Sequence, residues 1–376
     1  NEADHFTLFF SYGDTQLPQI KALIFNADNA FIIEPSVRHD TISYWLRDTT
    51  LVNQDTLSIA MTYRTTDTLG TLVTQCDTLQ LLAKRPYARR QKDAAKEYED
   101  WHKKQEKKRK RGQPYDSIMP PKSLQMRNNT QSTIEPDRDI IFSFDRPIAI
   151  ADTSKIHLYA KQDSLWYDTP LRVRPVSERI PGDTTRAAIL SLRNYELRAE
   201  WQPDTEYSLE LDSMAFVDIY GLVTPPIKQG IKVQSLDEYS SLIFTLPKQG
   251  DTHFVVELLN QQGDPVKRTT AIDGTAQFYY ITPGKYYEQM VADDNNNGVW
   301  DTGDYAAGLQ PEMMYYYPDE IECKAKWDVT LDWNPTARPL DKQKPAKITK
   351  QKAEKQRKIR QRNIERARKM GIAYPF

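Results

Sequence analysis

Cysteine is nearly absent from this chain: Cys76 and Cys323 are the only two in 376 residues. They fall in different stretches of the strand pattern described below, so a disulfide framework is not expected and both should be buried thiols. Their scarcity suits a reducing compartment and an exported protein alike. Long apolar runs are missing too, and no stretch reaches the ~18 residues that a transmembrane helix needs. His5, His39, His102, His157 and His253 are the only histidines and include neither HExxH nor a pair four residues apart. GxSxG, GxxxxGK[ST] and GxGxxG are also lacking, so no nucleophile elbow, phosphate loop or dinucleotide fingerprint is written here. The expectation is that the protein is not an enzyme. No Met and no apolar export signal open the chain, as in a mature protein or a fragment from which targeting information has gone.

What is present points to β-structure. Apolar residues make up 39 %, with 21 Tyr and 7 Trp, a composition suited to sheets with one wet face. The length predicts roughly three domains. A net charge of −1 hides a segregation: residues 84–112 hold thirteen Lys/Arg against five Asp/Glu, residues 342–376 hold thirteen against two, and the rest of the chain carries −20. Acidic modules are joined by basic segments.

Through residues 1–83, short β-branched and aromatic runs such as HFTLFF, AFIIEP, TISYWL and TLSIAMTY alternate with turn residues, the signal of a β-sandwich that could lack an edge strand. Residues 84–116 then switch to a basic helix beginning near Pro86, whose Ala94, Tyr98 and Trp101 share helical spacing and could dock on a neighbouring domain. A second sandwich is expected over residues 117–236, where Ile140, Phe142 and Phe144 alternate with Ile141 and Ser143. A third is expected over residues 237–334, with hairpin-type turns at Gly263-Asp264 and Asp273-Gly274. Residues 335–376 form a basic tail, expected to be a solvated helix. The predicted fold class is therefore all-β, tandem sandwiches with a basic helical linker and a basic helix or tail.

The run IIFSFDRPI, followed late by WQPDTEYSLELD and DIYGL, resembles bacterial Ig-like domains. VELLNQQGDPV, the Asp273-Gly274 turn and YYITPGKYYEQMVADDNNNGVWD resemble a transthyretin-like or Cna-B-like repeat. In this order the modules look like the C-terminal portion of Ig-like-domain envelope lipoproteins of Bacteroidota. The resemblance implies an exported protein, outer-membrane-attached, periplasmic or at the cell surface, with an envelope or outer-membrane protein as partner. A lipidated cysteine anchor belongs to that family and is implied only.

The sharpest local pattern is DDNNNGVWDTGD. With Asp293 first, Asn295, Asn297, the Val299 carbonyl, Asp301 and Asp304 stand at positions 3, 5, 7, 9 and 12, and Gly298 stands at 6, the spacing with which short oxygen ligands wrap a calcium ion. One structural calcium is the expected cofactor. The same residues also make a polar turn of side-chain-to-backbone bonds, and spacing alone does not choose between the two. The pairs Tyr279-Tyr280 and Tyr286-Tyr287 with the run Tyr315-Tyr316-Tyr317 could stack sugars, although strand alternation buries about half of such rings. Asp319 and Glu320 read as surface charge, since glycosidase chemistry needs carboxylates facing across a cleft. In the tail, Lys350, Lys352, Lys355, Arg357, Lys358, Arg360 and Arg362 offer an anionic surface a contact, while the lack of interleaved aromatics argues against nucleic acid. The leading expectation is a non-catalytic envelope binding or scaffolding protein docking a protein partner or an envelope surface. The alternative is a carbohydrate-binding or substrate-presenting module using exposed aromatics.

Overall fold

The computed structural model describes residues 4–26, 29–130, 132–180, 183, 187–247, 253–305, 307–349 and 366–371. Among the described residues the regular structure is β-strand apart from one long helix and several short helical turns, and the chain divides into two compact units, Asn1–Ser235 and Leu236–Phe376.

The first unit begins with strands β1 (His5–Phe9), β2 (Gln19–Ala22), β3 (Phe31–Pro35) and β4 (Thr41–Leu46). A single turn, α1 (Thr49–Val52), is capped by Asp48, and β5 (Thr56–Thr66) and β6 (Leu72–Leu82) follow. Two three-stranded sheets result, ordered β1-β4-β3 and β2-β5-β6. Period-two alternation turns Phe6, Ile42, Tyr44, Leu57 and Ile59 inward between them. The helix α2 (Tyr87–Lys110) leaves β6 after Pro86, whose fixed φ suits a helix start. None of its residues is buried.

The same unit continues with β7 (Met126–Asn128), β8 (Thr133–Ile134), β9 (Ile140–Phe144), β10 (Ile148–Ala151), β11 (Ile156–Gln162) and β12 (Leu165–Asp168). It closes with β13 (Leu171–Glu178), β14 (Ile189–Ala199), β15 (Glu206–Leu211), β16 (Phe216–Asp218) and β17 (Ile227–Val233). The five-stranded sheet β12-β11-β15-β17-β8 faces the four-stranded sheet β13-β14-β9-β7, with β10-β16 as a short ribbon. Ile140, Phe142 and Phe144 of β9 point into this core with Leu158, Leu197, Leu209 and Phe216, as their alternation requires. In the DIYGL turn, Asp218 accepts backbone hydrogen bonds from Tyr220 (2.9 Å) and Leu222 (2.8 Å).

The second unit contains β18 (Ser240–Thr245), β19 (His253–Leu259), β20 (Pro265–Thr270), β21 (Thr275–Ile281), β22 (Gly284–Asp293), β23 (Met314–Tyr316), β24 (Ile321–Cys323) and β25 (Asp328–Asp332). Sheet β21-β18-β25 packs on β20-β19-β22-β23 around Phe244, Leu258, Phe278, Met290 and Trp333. The turn at Asp273-Gly274 is tight, with φ of 51° and 76°, yet it joins β20 and β21 of different sheets. Ile272 and Thr275 exchange both backbone hydrogen bonds around it (2.9 Å each), the hairpin-type turn expected.

Three expectations are corrected. Cys323 is buried, but Cys76 is exposed, because the first five residues of β6 run beyond the sandwich with both faces in solvent. Ala94, Tyr98 and Trp101 do not embed α2 in a neighbouring sandwich; Trp101 instead lines a shallow groove with Met119 of the segment returning from the helix. The stretch 335–349 does not trail away as solvated helix. Ile348 packs with Leu259, Tyr287 and Tyr316, and buried Gln343 donates to the carbonyls of Pro335 (2.7 Å) and Arg338 (2.8 Å) while accepting from the Tyr316 N–H. The cations Lys350, Lys352, Lys355, Arg357, Lys358, Arg360 and Arg362 lie outside the described residues.

Candidate functional site

The N-terminal sandwich is open along one side. Among the described residues β1 pairs only with β4, and β6 pairs only with β5. Between the end of β1 with its following loop and the β5–β6 hairpin lies a groove of about 700 Å³. Leu8, Phe9, Phe10, Tyr12, Met61, Tyr63 and Leu72 supply its apolar lining. Phe9, Tyr12 and Leu72 are 77 %, 88 % and 54 % exposed, so three large apolar side chains stand at one opening. Clustered exposure of this kind marks an interaction surface, whereas scattered apolar residues do not.

Local chemistry holds the groove in shape. The β5–β6 turn is built by Asp67, whose carboxylate accepts from the N–H groups of Leu69 (2.9 Å) and Thr71 (2.8 Å), and by Gly70 at φ 81°. Tyr63 donates to Asp77 across the hairpin (2.7 Å), and that bond, with partial desolvation, raises its phenol above the ordinary range. Arg64 donates to Asp14 through Nε (2.6 Å) and a second nitrogen, fixing the loop after β1 to the hairpin. That guanidinium holds the Asp14 carboxyl down to about 2. Gly13 is required here, since a Cβ would collide with the Arg38 carbonyl. The β6 edge carries one charged residue, Asp77, over its eleven positions, and so lacks the lysines and prolines that usually guard an exposed edge.

The proposed calcium residues are placed as follows. Asp293, almost wholly buried, accepts from the N–H groups of Asn297 (3.0 Å) and Gly298 (2.7 Å). Asn295 and Asn297 both donate side-chain amides to Asp301 (2.6 and 2.7 Å), and their oxygens accept from the backbone of Asn297 and Val299. Asp304 is not joined to this set by these bonds; its side chain caps Ala307 (3.1 Å) and its backbone pairs with Leu309. Glu312, which the spacing did not reveal, accepts from the N–H groups of Asp294 and Asp301, both at 3.0 Å. Among the described residues there is no group of three or more His, Cys, Asp and Glu side chains arranged to hold a metal.

The tyrosines singled out for sugar stacking are largely packing residues. Tyr287 is buried, Tyr286, Tyr315 and Tyr317 pack on the core of the second unit, and Tyr316 joins Ile348. Glu320 is a surface ion-pair centre, bonded by Lys285, Lys347 and Tyr287, which hold it at about 2. Of the tyrosines singled out, Tyr279 on β21 is exposed, as are Trp166 and Tyr167, adjacent on edge strand β12. No helix among the described residues is long and apolar enough to cross a membrane.

Neither a known protein-family model nor a curated protein matches the chain. Among solved structures it is similar to the Bacillus anthracis TIE protein, at 10 % identity and TM-score 0.18 over 58 % of this chain and 41 % of that one. It is also similar to native alpha-2-macroglobulin from Escherichia coli spanning domains MG0-NIE-MG1, at 10 % identity and TM-score 0.23 over 51 % of this chain and 71 % of that one. A third likeness is to the Clostridium thermocellum CbhA fibronectin(III)-like modules, at 7 % identity and TM-score 0.14 over 57 % of this chain and 97 % of that one. The chain thus spans less than half of the first of these proteins. The β-sandwich fold stands on the sheets described above.

Proposed function

We propose that this chain is a non-catalytic binding or scaffolding protein whose N-terminal sandwich accepts an extended segment of a protein partner beside β1 and the β5–β6 hairpin. The observation that carries the reading is a groove between the unpaired edge of β1 and the β5–β6 hairpin, at which Phe9, Tyr12 and Leu72 stand exposed. An incoming strand satisfies edge N–H and C=O groups while alternate apolar side chains fill the groove, the mode of β-strand addition. The only charges in the groove lining, Asp14 and Arg64, are paired with each other, so the groove suits an uncharged strand with alternating apolar side chains. The resemblance of the modules to envelope lipoproteins supports a partner outside the cytoplasm.

Panning a random peptide library displayed on phage against the whole chain tests this. Enrichment of alternating apolar peptides that lose binding at least tenfold to a Phe9→Lys/Leu72→Lys variant with an unchanged melting temperature is the expected result. Peptides that bind both proteins equally, or no enrichment at all, overturn it. The carbohydrate reading draws on Trp166 and Tyr167, but successive strand residues face opposite sides, so the two rings cannot form one stacking platform.

A further inference from the structure

A second interaction surface lies at the far end of α2. Residues 103–111 contain seven cations and one acid, Glu106. Lys103 pairs with Glu99 (3.6 Å) and Lys110 with Glu106 (2.9 Å), and Arg109 lies 6.0 Å over the Tyr115 ring. Among the described residues no carboxylate pairs with Lys104, Lys107, Lys108 or Arg111, and all four are exposed. The cations fall on every side of the last turns, because the eight helical residues from Lys103 to Lys110 cover the full circle.

The helix holds this charge away from its anchor. Its start is tied to the α1–β5 turn, where the Tyr87 N–H donates to Asp55 (2.5 Å) and Arg90 donates to the Val52 carbonyl (2.8 Å). Twenty-four residues at 1.5 Å each place the basic end about 36 Å from that anchor. The returning segment lies along the helix, with the Asp116 N–H on Gln105 (3.1 Å) and Lys122 on Glu97 (2.9 Å). It also brings apolar residues beside the cations: Ile118 is 81 % exposed and Tyr115 is half exposed.

We propose that this arm docks on a bilayer surface bearing anionic phosphate headgroups, the cations meeting the phosphates and Ile118 and Tyr115 entering the headgroup layer. A rod charged on all sides offers a protein groove no apolar stripe to seat, whereas a delocalised plane of phosphate accepts it in any rotation. Exposed apolar residues beside the charge favour lipid over a nucleic-acid duplex, which rewards charge alone. The proposal does not depend on the groove of the N-terminal sandwich.

The test is flotation of the full chain with phosphatidylcholine vesicles containing phosphatidylglycerol, against phosphatidylcholine alone. Because α2 has no buried residue, Lys103→Glu/Lys104→Glu/Lys107→Glu/Lys108→Glu retains the fold. Four reversals should lower the partition onto anionic vesicles about a hundredfold or more, and Ile118→Asp should lower it about tenfold or more at nearly unchanged arm charge. Three outcomes overturn the proposal: no flotation of the native chain with anionic vesicles, undiminished flotation of the fourfold variant with its C-terminal tail intact, or release of the bound chain onto competing duplex DNA at equal phosphate.

Discussion

Glu288 is a carboxyl group placed where the fold has no partner for it. On β22 it shares the inward face with Tyr286, Met290 and Ala292 and stands opposite Leu258 of β19. It is fully buried, and neither carboxylate oxygen has a hydrogen-bond partner among the described residues. Burial raises its pKa well above the ordinary value, so the folded state holds the neutral acid. Tyr317 and Cys323 are the titratable groups beside it, and both are raised chiefly by burial. A carboxyl whose folded pKa is raised stabilises the fold fully below its unfolded pKa of about 4.3, and that stability is lost as pH rises toward the folded value. Denaturant melts should therefore show the second unit weakening from pH 5 to 9, with the slope reduced in Glu288→Gln; parallel slopes in the two proteins would sink this account. Glu288→Leu removes the unsatisfied group and should add roughly 1–3 kcal/mol at neutral pH. Part of this site was legible in the sequence: the period of two in KYYEQMVAD assigns Glu288 to the face of Tyr286 and Met290. The absence of a partner depends on which strands surround it, and that is a property of the assembled sandwich.

At the scale of elements, turns written in local sequence were legible and contacts between distant segments were not. The loop over residues 293–304 illustrates both. Asp293, Asn295, Asn297 and Asp301 are gathered as their spacing suggests, since Asx side chains bond backbone two to five residues onward. Glu312 joins from beyond a second turn, and nothing in the motif points to it. Asp304 is drawn aside because Gly303, at φ 76° and packed where a Cβ would meet the Leu309 carbonyl, starts a hairpin of its own. Asp293→Ala strands the N–H groups of Asn297 and Gly298 and should cost about 1–3 kcal/mol with or without calcium, read by thermal melting in chelator. Calcium binding by this loop remains a proposal, and Asp301→Ala isolates it. Calcium titrated into chelator-treated protein should raise the melting temperature of the native chain and leave that variant unmoved. A flat titration of the native chain would leave the loop as a hydrogen-bonded turn.

For the whole molecule, the strand pattern separates residues 1–83 from residues 117–236, yet both lie in the single compact unit Asn1–Ser235. Two clusters join them. Arg193 of β14 holds Glu34 of β3 with its Nε 2.9 and 3.0 Å from the two carboxylate oxygens, and it lies 5.6 Å over the Trp45 ring, whose Nε1 also donates to Glu34 (2.9 Å). Arg146 donates to Asp4 (2.9 Å) and lies over Tyr220, while the Tyr220 hydroxyl donates to the Leu46 carbonyl (2.7 Å). These partners are up to 174 residues apart, so periodicity and turn chemistry, which act over a few positions, could not disclose them. Burial pushes the Asp4 carboxyl up, but bonds from His5 and Arg146 outweigh it and hold the group below its usual range. Its contribution is therefore present above the unfolded pKa of about 4 and lost as pH falls through the lower folded value. Removing Arg193 leaves Glu34 and the Trp45 face without their cation. Arg193→Ala should cost about 1–3 kcal/mol, the range for hydrogen bonds to charged groups. It should also divide the melting of the first unit into two calorimetric transitions, because the remaining Arg146 cluster must then couple the sandwiches alone. Retention of one transition at an unchanged temperature would mean that the Arg193 cluster does not join the two sandwiches energetically.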